Sequence, residues 1–308
     1  MPLDTRTEGA RTATATVHDP VHDELRRLEA GLDSLQAIPE APRGAFRRTL
    51  DGVVPPILLL IGLVAAWQVY ILIAKPRPDL IPGPLDVFAA LASSWNSDRL
   101  QLAVATSLER GGLGFLIAVV LGTPIGLLLA ECRPVRRAVG PLLSGLQVLP
   151  SVAWVPAAII WFGLTDATVY FVILMGAVPS IANGLVAGVD QIPPQLRRVG
   201  TVLGASRFEM ATLVVLPAAL PGYFSGLKQG WAFAWRSLMA AEIITQGGTI
   251  GFGLGSMLDQ SRDLADLSGV LATILVILFV GILVELVVFA PIERRLLRRR
   301  GLMTAGLR

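Results

Sequence analysis

Cysteine, histidine and lysine are scarce in this chain of 308 residues, and their scarcity excludes several kinds of site. A single cysteine, Cys132, cannot form an internal disulfide and offers little to a thiolate metal centre. The two histidines, His18 and His22, have no cysteine or carboxylate cluster with them, so we interpret them as part of a solvated helix start. No phosphate-binding glycine loop of the Walker type occurs, so we expect no ATP site in this chain.

Apolar residues, in contrast, are abundant. They make up 53% of the chain, and the mean hydropathy of +0.64 is far too high for an ordinary soluble domain. The net charge is only +3, and the basic residues gather in short segments beside apolar stretches. This arrangement is typical of membrane topology, so we expect a lipid bilayer as a partner and no nucleic acid.

Six apolar stretches are long enough, or nearly so, to cross a bilayer as helices, for which about 20 residues are needed. They are residues 53–74, 111–130, 138–163, 167–189, 218–245 and 268–290. Helices are required because lipid offers no hydrogen-bond partner to open backbone groups. We therefore predict an all-α polytopic membrane protein. Its six-helix transmembrane domain covers residues 46–300, and a short tail covers residues 301–308.

The placement of arginine predicts the orientation of the spans, because basic residues favour cytoplasmic loops. Arginines precede the first stretch, separate the second from the third and the fourth from the fifth, and follow the sixth. The opposite side carries only Lys75, Arg77, Arg99 and Arg262. We therefore expect both termini in the cytoplasm.

The first 45 residues form a separate polar segment in this interpretation. Asp19 and Pro20 are suited to the start of a helix. Apolar residues then recur on one face at Val21, Leu25, Leu28, Leu32 and Leu35. Residues 1–45 are therefore predicted to be a cytoplasmic N-terminal appendage with a short amphipathic helix.

The most informative segment lies between the fourth and fifth stretches, over residues 195–217. Residues 195–203 are suited to a short helix that Gly204 ends in a left-handed conformation. Ser206 and Glu209 have the spacing of a capping box, which predicts a second short helix. Pro217 is then expected at the entry to the fifth span. Spacing alone favours an ordinary basic loop that only sets topology.

The same segment resembles the cytoplasmic coupling loop of bacterial ABC import permeases, whose pattern is Glu-Ala-Ala, three residues, Gly, nine residues, then Ile-x-Leu-Pro. We therefore call residues 195–217 the coupling segment. Gly204 and Pro217 match at the family spacing, whereas Arg198 stands where the family has its acid. The resemblance implies docking to an ATPase with different polar contacts. The residues expected to couple are Arg198, Leu203, Gly204, Ala205, Ser206, Arg207, Glu209, Leu216 and Pro217.

Weaker motifs in family order extend the resemblance over residues 53–300, towards the nitrate, sulfonate and taurine branch. They include Gly122-Thr123-Pro124-Ile125-Gly126, Trp161-Phe162-Gly163 and Ala240-Ala241-Glu242. The resemblance implies a type I importer fold in the bacterial cytoplasmic membrane and a transported anion such as an aliphatic sulfonate, taurine or nitrate. A vitamin precursor of the thiamine or pyrimidine type is the alternative solute.

The resemblance also implies partners. They are a second permease subunit, a dimer of ATP-binding cassette ATPases and an extracytoplasmic solute-binding protein. ATP and Mg²⁺ would be bound by the ATPase, so this chain is expected to hold no cofactor and to be no enzyme. The sequence has no internal duplication, which makes a homodimer the simpler case.

Ionisable residues inside a bilayer usually face a cavity or a partner, because each costs about 2.5–3.5 kcal/mol near a helix centre. Arg236 and Glu242 lie in the fifth span, about 120° apart around the helix, and cannot simply neutralise each other. A structural pairing and a place on the translocation path both stay open for these two residues. The same alternatives hold for Gln147, Ser151 and Asn183 on neighbouring spans.

A secondary transporter or a channel is the alternative from another class. Such a protein would need inverted repeats around a broken helix, or a ring of charges in a pore. The sequence shows six spans without a clear repeat, which disfavours this alternative.

Overall fold

A computed structural model describes residues 45–77, 80–247 and 250–299, and every regular element within these ranges is helical. The amphipathic helix predicted within residues 1–45 lies outside the described residues. The chain divides into two units, residues 1–63 and 64–308. The described part of the first unit is the first portion of helix α1. The rest of α1 and all other helices belong to the second unit.

The helices follow one another with short connections. They are α1 (Ala45–Ala74), α2 (Pro84–Asn96), α3 (Arg99–Glu131), α4 (Arg133–Val148), α5 (Val155–Phe162), α6 (Asp166–Asp190) and α7 (Pro194–Val202). Helix α8 comprises Arg207–Glu209, the π-helical Met210–Val215 and Leu216–Ile244. After α9 (Leu254–Asp263), helix α10 comprises Leu267–Val284, the π-helical Glu285–Phe289 and Ala290–Arg299.

Five of these helices (α1, α3, α6, α8 and α10) are long and apolar enough to cross a bilayer. They cover the first, second, fourth, fifth and sixth predicted stretches. The third stretch, residues 138–163, is not one straight helix: α4 and the segment Ser151–Phe162 meet at an angle of 100°. Pro150 causes the break, because its ring removes a backbone donor and forces Leu149 into an extended conformation (ψ 124°). The third span is therefore a bent pair of helices, and with it the described residues contain six candidate spans.

Helix α6 lies at the centre of the second unit, between α3 and α8. Its side chains Val169, Val172, Ile173, Ala177 and Ile181 are all fully buried. Helix α6 is therefore shielded on several sides by protein, whereas α3 and α10 keep broad exposed apolar faces that suit lipid.

Glycines bring the backbones of α6 and α8 into direct contact. A β-carbon added at Gly226 would lie 2.6 Å from the Cα of Gly184, and one added at Gly222 would lie 2.5 Å from the Cα of Gly188. Small residues permit such close approach between helices in lipid, where van der Waals packing drives association. The rotation of α8 about its own axis is therefore fixed relative to α6.

This contact makes a testable prediction. Gly226→Leu should lower the thermal unfolding midpoint of the detergent-purified protein, because the new side chain must push α8 away from α6. Overpacking of this kind costs about 1–3 kcal/mol. Gly112→Leu is the matched control, since a β-carbon at Gly112 meets no atom within 4 Å. Equal midpoints for the two variants would contradict the proposed role of the glycine contact.

Candidate functional site

The predicted end of the first coupling helix is present in the structure. Helix α7 ends at Val202, and Gly204 has a φ of +78°. The backbone N–H of Ala205 donates to the carbonyl of Gly200 (3.0 Å), and that of Gly204 donates to the carbonyl of Thr201 (3.1 Å). This pair of hydrogen bonds is the Schellman arrangement that glycine makes possible at a helix C-terminus.

The predicted start of the second coupling helix is also present. The backbone N–H of Glu209 donates to the Ser206 hydroxyl (3.2 Å), and the backbone N–H of Ser206 donates to the Glu209 carboxylate (2.8 Å). The second helix does not stop before Pro217, however. It continues through the π-helical segment Met210–Val215 into the long part of α8. The coupling segment therefore passes into the fifth span without a loop.

Helix α7 packs against the start of α8 and is tied to a neighbouring helix. A β-carbon at the buried Gly200 would meet the Met210 side chain at 2.7 Å, so α7 lies directly on the π-helical segment. The guanidinium of Arg197 pairs with Glu131 at the end of α3 (3.0 Å). The ends of α4 and α6 are similarly joined by Arg136 and Asp190.

Apolar side chains stand exposed around this junction. Val202, Leu203 and Phe208 are 85%, 80% and 77% exposed. An apolar hollow of about 360 Å³ lies beside them between α7 and α8, and its lining includes Leu203 and Pro217. These side chains and the hollow together form an exposed apolar patch at the junction of α7 and α8.

The predicted coupling residues differ in how exposed they are. Arg198, Gly204, Ser206, Arg207 and Glu209 are exposed. Ala205 and Leu216 are half-buried. Phe208 was not predicted, although its position inside the capping box was a signal that could have found it.

A second region lies at the break between α4 and α5. A cavity of about 320 Å³ is lined there by Gln147, Ser151, Gly176, Phe233 and Arg236 among others. Gln147, Ser151 and Arg236, three of the polar residues predicted from the sequence, thus lie together at this cavity. Its lining contains no carboxylate.

Arg236 is held in a defined position at this cavity. Its guanidinium lies over the Phe233 ring, 4.7 Å from the centroid, and its Nε donates to the carbonyl of Ala232 (3.2 Å). Among the described residues Arg236 forms no ion pair with a carboxylate. Two alternatives were open for Arg236, an ion pair with another helix and a place on the translocation path. The described part of the chain contains no such ion pair.

Asn183 and Gln147 join α6 to α4. The side-chain amide of Asn183 donates to the Oε1 of Gln147 at 2.9 Å. Asn183 therefore forms the hydrogen bond between helices that was one of its alternatives, and it holds the Gln147 amide at the cavity wall.

Glu242 lies apart from the cavity, in a fully buried polar cluster. Its carboxylate accepts from the Ser107 hydroxyl (2.7 Å), from the backbone N–H of Gly255 (3.0 Å) and from Arg110 (3.3 Å). Arg110 also pairs with Asp166 at 2.8 Å. Glu242 therefore anchors α8 to α3 and to the start of α9. Neither Ser107 nor Arg110 was selected as a site residue, because their approach to Glu242 depends on the fold.

A further charged cluster joins α8 to α10. The ammonium group of Lys228 lies 2.7 Å from the Glu285 carboxylate and 2.9 Å from that of Glu293. Two carboxylates on one neighbouring helix thus surround a single cation.

The chain matches a protein-family model over residues 122–298, more than half of its length. That model is described as the inner membrane component of binding-protein-dependent transport systems. The chain belongs to this family. It is the membrane-spanning permease subunit of an ABC importer, which accounts for the bundle of apolar spans.

Relatives of this permease cover most of its length. It is 31% identical over 271 residues to the bicarbonate transport system permease protein CmpB of Synechococcus elongatus, covering 82% of this chain and 92% of the relative. It is 30% identical over 239 residues to the taurine transport system permease protein TauC of Escherichia coli, covering 76% and 85% of the two chains.

Solved structures share the fold of this permease. An inward-facing MetNI methionine ABC transporter aligns with a TM-score of 0.54 at 19% identity, covering 63% of this chain and 94% of that one. An amino acid ABC transporter aligns with the same TM-score at 14% identity, covering 67% and 97%. The predicted type I importer permease fold is confirmed.

The buried cluster makes a prediction that separates Glu242 from Arg236. Glu242→Ala should lower the thermal unfolding midpoint strongly, because it leaves the Arg110 guanidinium buried without one of its partners. Removing one member of a buried ion pair typically costs about 3–5 kcal/mol. Arg236→Ala, on the same helix but exposed, should leave the midpoint nearly unchanged. A stable Glu242→Ala protein that has lost only transport would instead make Glu242 a solute contact.

Proposed function

We propose that this permease forms a homodimer in a bacterial cytoplasmic membrane and imports small inorganic or organic anions. An ATPase dimer would supply the energy, and an extracytoplasmic binding protein would deliver the solute. Both termini would lie in the cytoplasm, on the side of the coupling segment. The arginine-rich connections at that end of the bundle support this orientation.

The observation that carries the anion assignment is the position of Arg236. A guanidinium without a carboxylate partner among the described residues lies at a cavity that Gln147 and Ser151 also line. Planar guanidinium groups are suited to the oxygens of sulfonate, carboxylate, nitrate or bicarbonate. The relatives named for bicarbonate, taurine, nitrate and aliphatic sulfonates support the same class.

The exposed apolar group at the coupling segment is the proposed contact with the ATPase. Val202, Leu203 and Phe208 would enter a groove of the ATPase, and Arg198 would meet an acidic group there. Arg198 is positive where the family pattern has an acid, so the ATPase would carry a negative group at the corresponding contact. Aromatic and apolar residues of this kind dominate the energetics of protein interfaces.

Transport would proceed by alternating access. Movement of the ATPase subunits on binding ATP would displace α7, which lies on the π-helical start of α8 through Gly200 and Met210. Since α8 continues from there to Ile244, the displacement would reach the cavity without crossing a flexible connection. The solute would then pass between the two permease subunits and leave towards the cytoplasm.

Arg236 gives a direct test of the solute class. In proteoliposomes with the assembled importer, Arg236→Ala should reduce uptake of labelled taurine, nitrate or bicarbonate at least tenfold. Arg236→Lys is the matched control, and it should retain part of the activity because it keeps the positive charge. Uptake of a neutral or cationic vitamin precursor with no dependence on Arg236 would contradict the anion assignment.

Gly204 tests the coupling segment. Gly204→Val should abolish solute uptake while membrane insertion stays normal, since a β-branched residue cannot easily adopt a φ of +78°. Gly204→Asn is the control, because asparagine tolerates this conformation and a β-carbon there meets no atom within 4 Å. ATPase activity stimulated by the loaded binding protein is the measurement. Normal stimulation in Gly204→Val would rule out the proposed role.

A further inference from the structure

Helix α8 has an exposed face of unusual composition. Between Leu216 and Ile243 its exposed residues are Ser225, Gln229, Ala232 and Arg236. Their spacings of four, three and four place them on one side of the helix, within about 60° of each other. They extend over about 16 Å along the axis, at a rise of about 1.5 Å per residue. We call these four residues the polar stripe.

Two other spans of this unit, α10 and α3, present a different surface over their middle portions. The exposed residues of α10 between Leu267 and Val284 are all large and apolar, namely Ile274, Leu275, Leu278, Phe279, Ile282 and Leu283. On α3 the exposed face likewise carries Leu113, Leu116, Ile117, Val120 and Leu121. These faces are suited to lipid, whereas a serine, a glutamine and an arginine in a row on one exposed face are not.

Burial explains why the stripe is confined to one face. Gly222, Gly226 and Gly230 turn a different side of α8 towards α6. Lys228 is turned towards α10, where Glu285 and Glu293 neutralise it. The positive charge left on the exposed face is that of Arg236, at one end of the stripe and at the cavity of the α4–α5 break.

We propose that the polar stripe lines the translocation path from the Arg236 cavity towards the coupling end of the bundle. The inference rests on the proposed function and extends it to two residues, Ser225 and Gln229, that bind the passing oxyanion by hydrogen bonds. Both side chains carry donors that replace part of the water around an anion. Ala232 lies between Gln229 and Arg236, and its small side chain leaves width for the solute.

Cysteine accessibility tests the path without depending on which solute is carried. The one native cysteine, Cys132, is replaced by serine. Single cysteines are then introduced as S225C, Q229C and A232C, with L278C and F279C on the exposed face of α10 as controls. Labelling by a charged methanethiosulfonate is followed in the importer assembled with its ATPase and binding protein, with and without ATP and vanadate.

The stripe cysteines should react at least tenfold faster than the α10 controls in at least one nucleotide state. The reason is that a charged reagent and a reactive thiolate both need water. Stripe rates no higher than those of the controls in every state would overturn the inference. The same holds for cysteines that react only after denaturation, which would mean that a second copy or another helix covers the stripe.

A second variant measures passage itself. Ala232→Leu should reduce solute uptake at least tenfold by narrowing the path, whereas Ala232→Ser should leave it within about twofold of the parent protein. ATPase activity stimulated by the loaded binding protein, retained in Ala232→Leu, shows that the complex is assembled. Unchanged uptake in Ala232→Leu would overturn the inference.

These results separate the two proposals. A labelled stripe in an importer that carries no anion would refute the anion assignment and leave the path intact. Anion uptake that depends on Arg236 with an unlabelled stripe would keep the proposed function and reject the path.

Discussion

The backbone contact between α6 and α8 is the constraint on which the rest of this permease depends. With glycine at 184, 188, 222 and 226, the two helices approach so closely that a β-carbon added at any of these positions would lie 2.3–2.6 Å from a backbone atom of the other helix. Such contact fixes the rotation of α8 as well as its distance from α6. Residues 225 and 229 lie one position from residues 226 and 230, about 100° around the helix, and are thereby turned outwards. The polar stripe is a geometric consequence of the glycine contact.

The charges along α8 are divided between structural and free groups. Glu242 is neutralised by Arg110 and bonded by Ser107, and Lys228 is neutralised by two glutamates of α10. Both clusters join α8 to neighbouring helices, where an unpaired charge would be costly. Arg236 differs because it is exposed, lies on an aromatic ring and has no carboxylate partner in the described residues. Helix α8 is therefore joined to its neighbours by two charged clusters, at Lys228 and at Glu242. Its third charged side chain in the span, Arg236, lies at a cavity instead.

The continuity of α8 links the coupling segment to the cavity. A separate second helix would have allowed the coupling segment to move without the fifth span. The π-helical segment Met210–Val215 instead joins them, and Gly200 of α7 lies on it. π-Helical turns inside α-helices occur frequently at functional sites, and this one lies at the place where a partner's motion would enter the membrane domain.

Much of this architecture is determined by the sequence alone. Apolar stretches of membrane length fix the helical class, and local rules fix the turn: Gly204 ends α7 and Ser206 with Glu209 starts α8, because both effects act within a few residues. The order of motifs was enough to indicate the family. The shape of the third span was predicted less well, although Pro150 was a local signal for its break.

Only the tertiary structure decided the roles of the polar residues inside the membrane. Arg236 and Glu242 have similar surroundings in the sequence, and both alternatives stayed open for each. The fold brings Ser107 and Arg110 from α3, more than 130 positions away, to Glu242 and brings no carboxylate of the described residues to Arg236. Whether a charged side chain is an anchor or faces a cavity depends on the helix that packs beside it. The neighbouring helix depends in turn on glycine contacts between segments that are far apart in the sequence, and local sequence patterns do not predict such contacts.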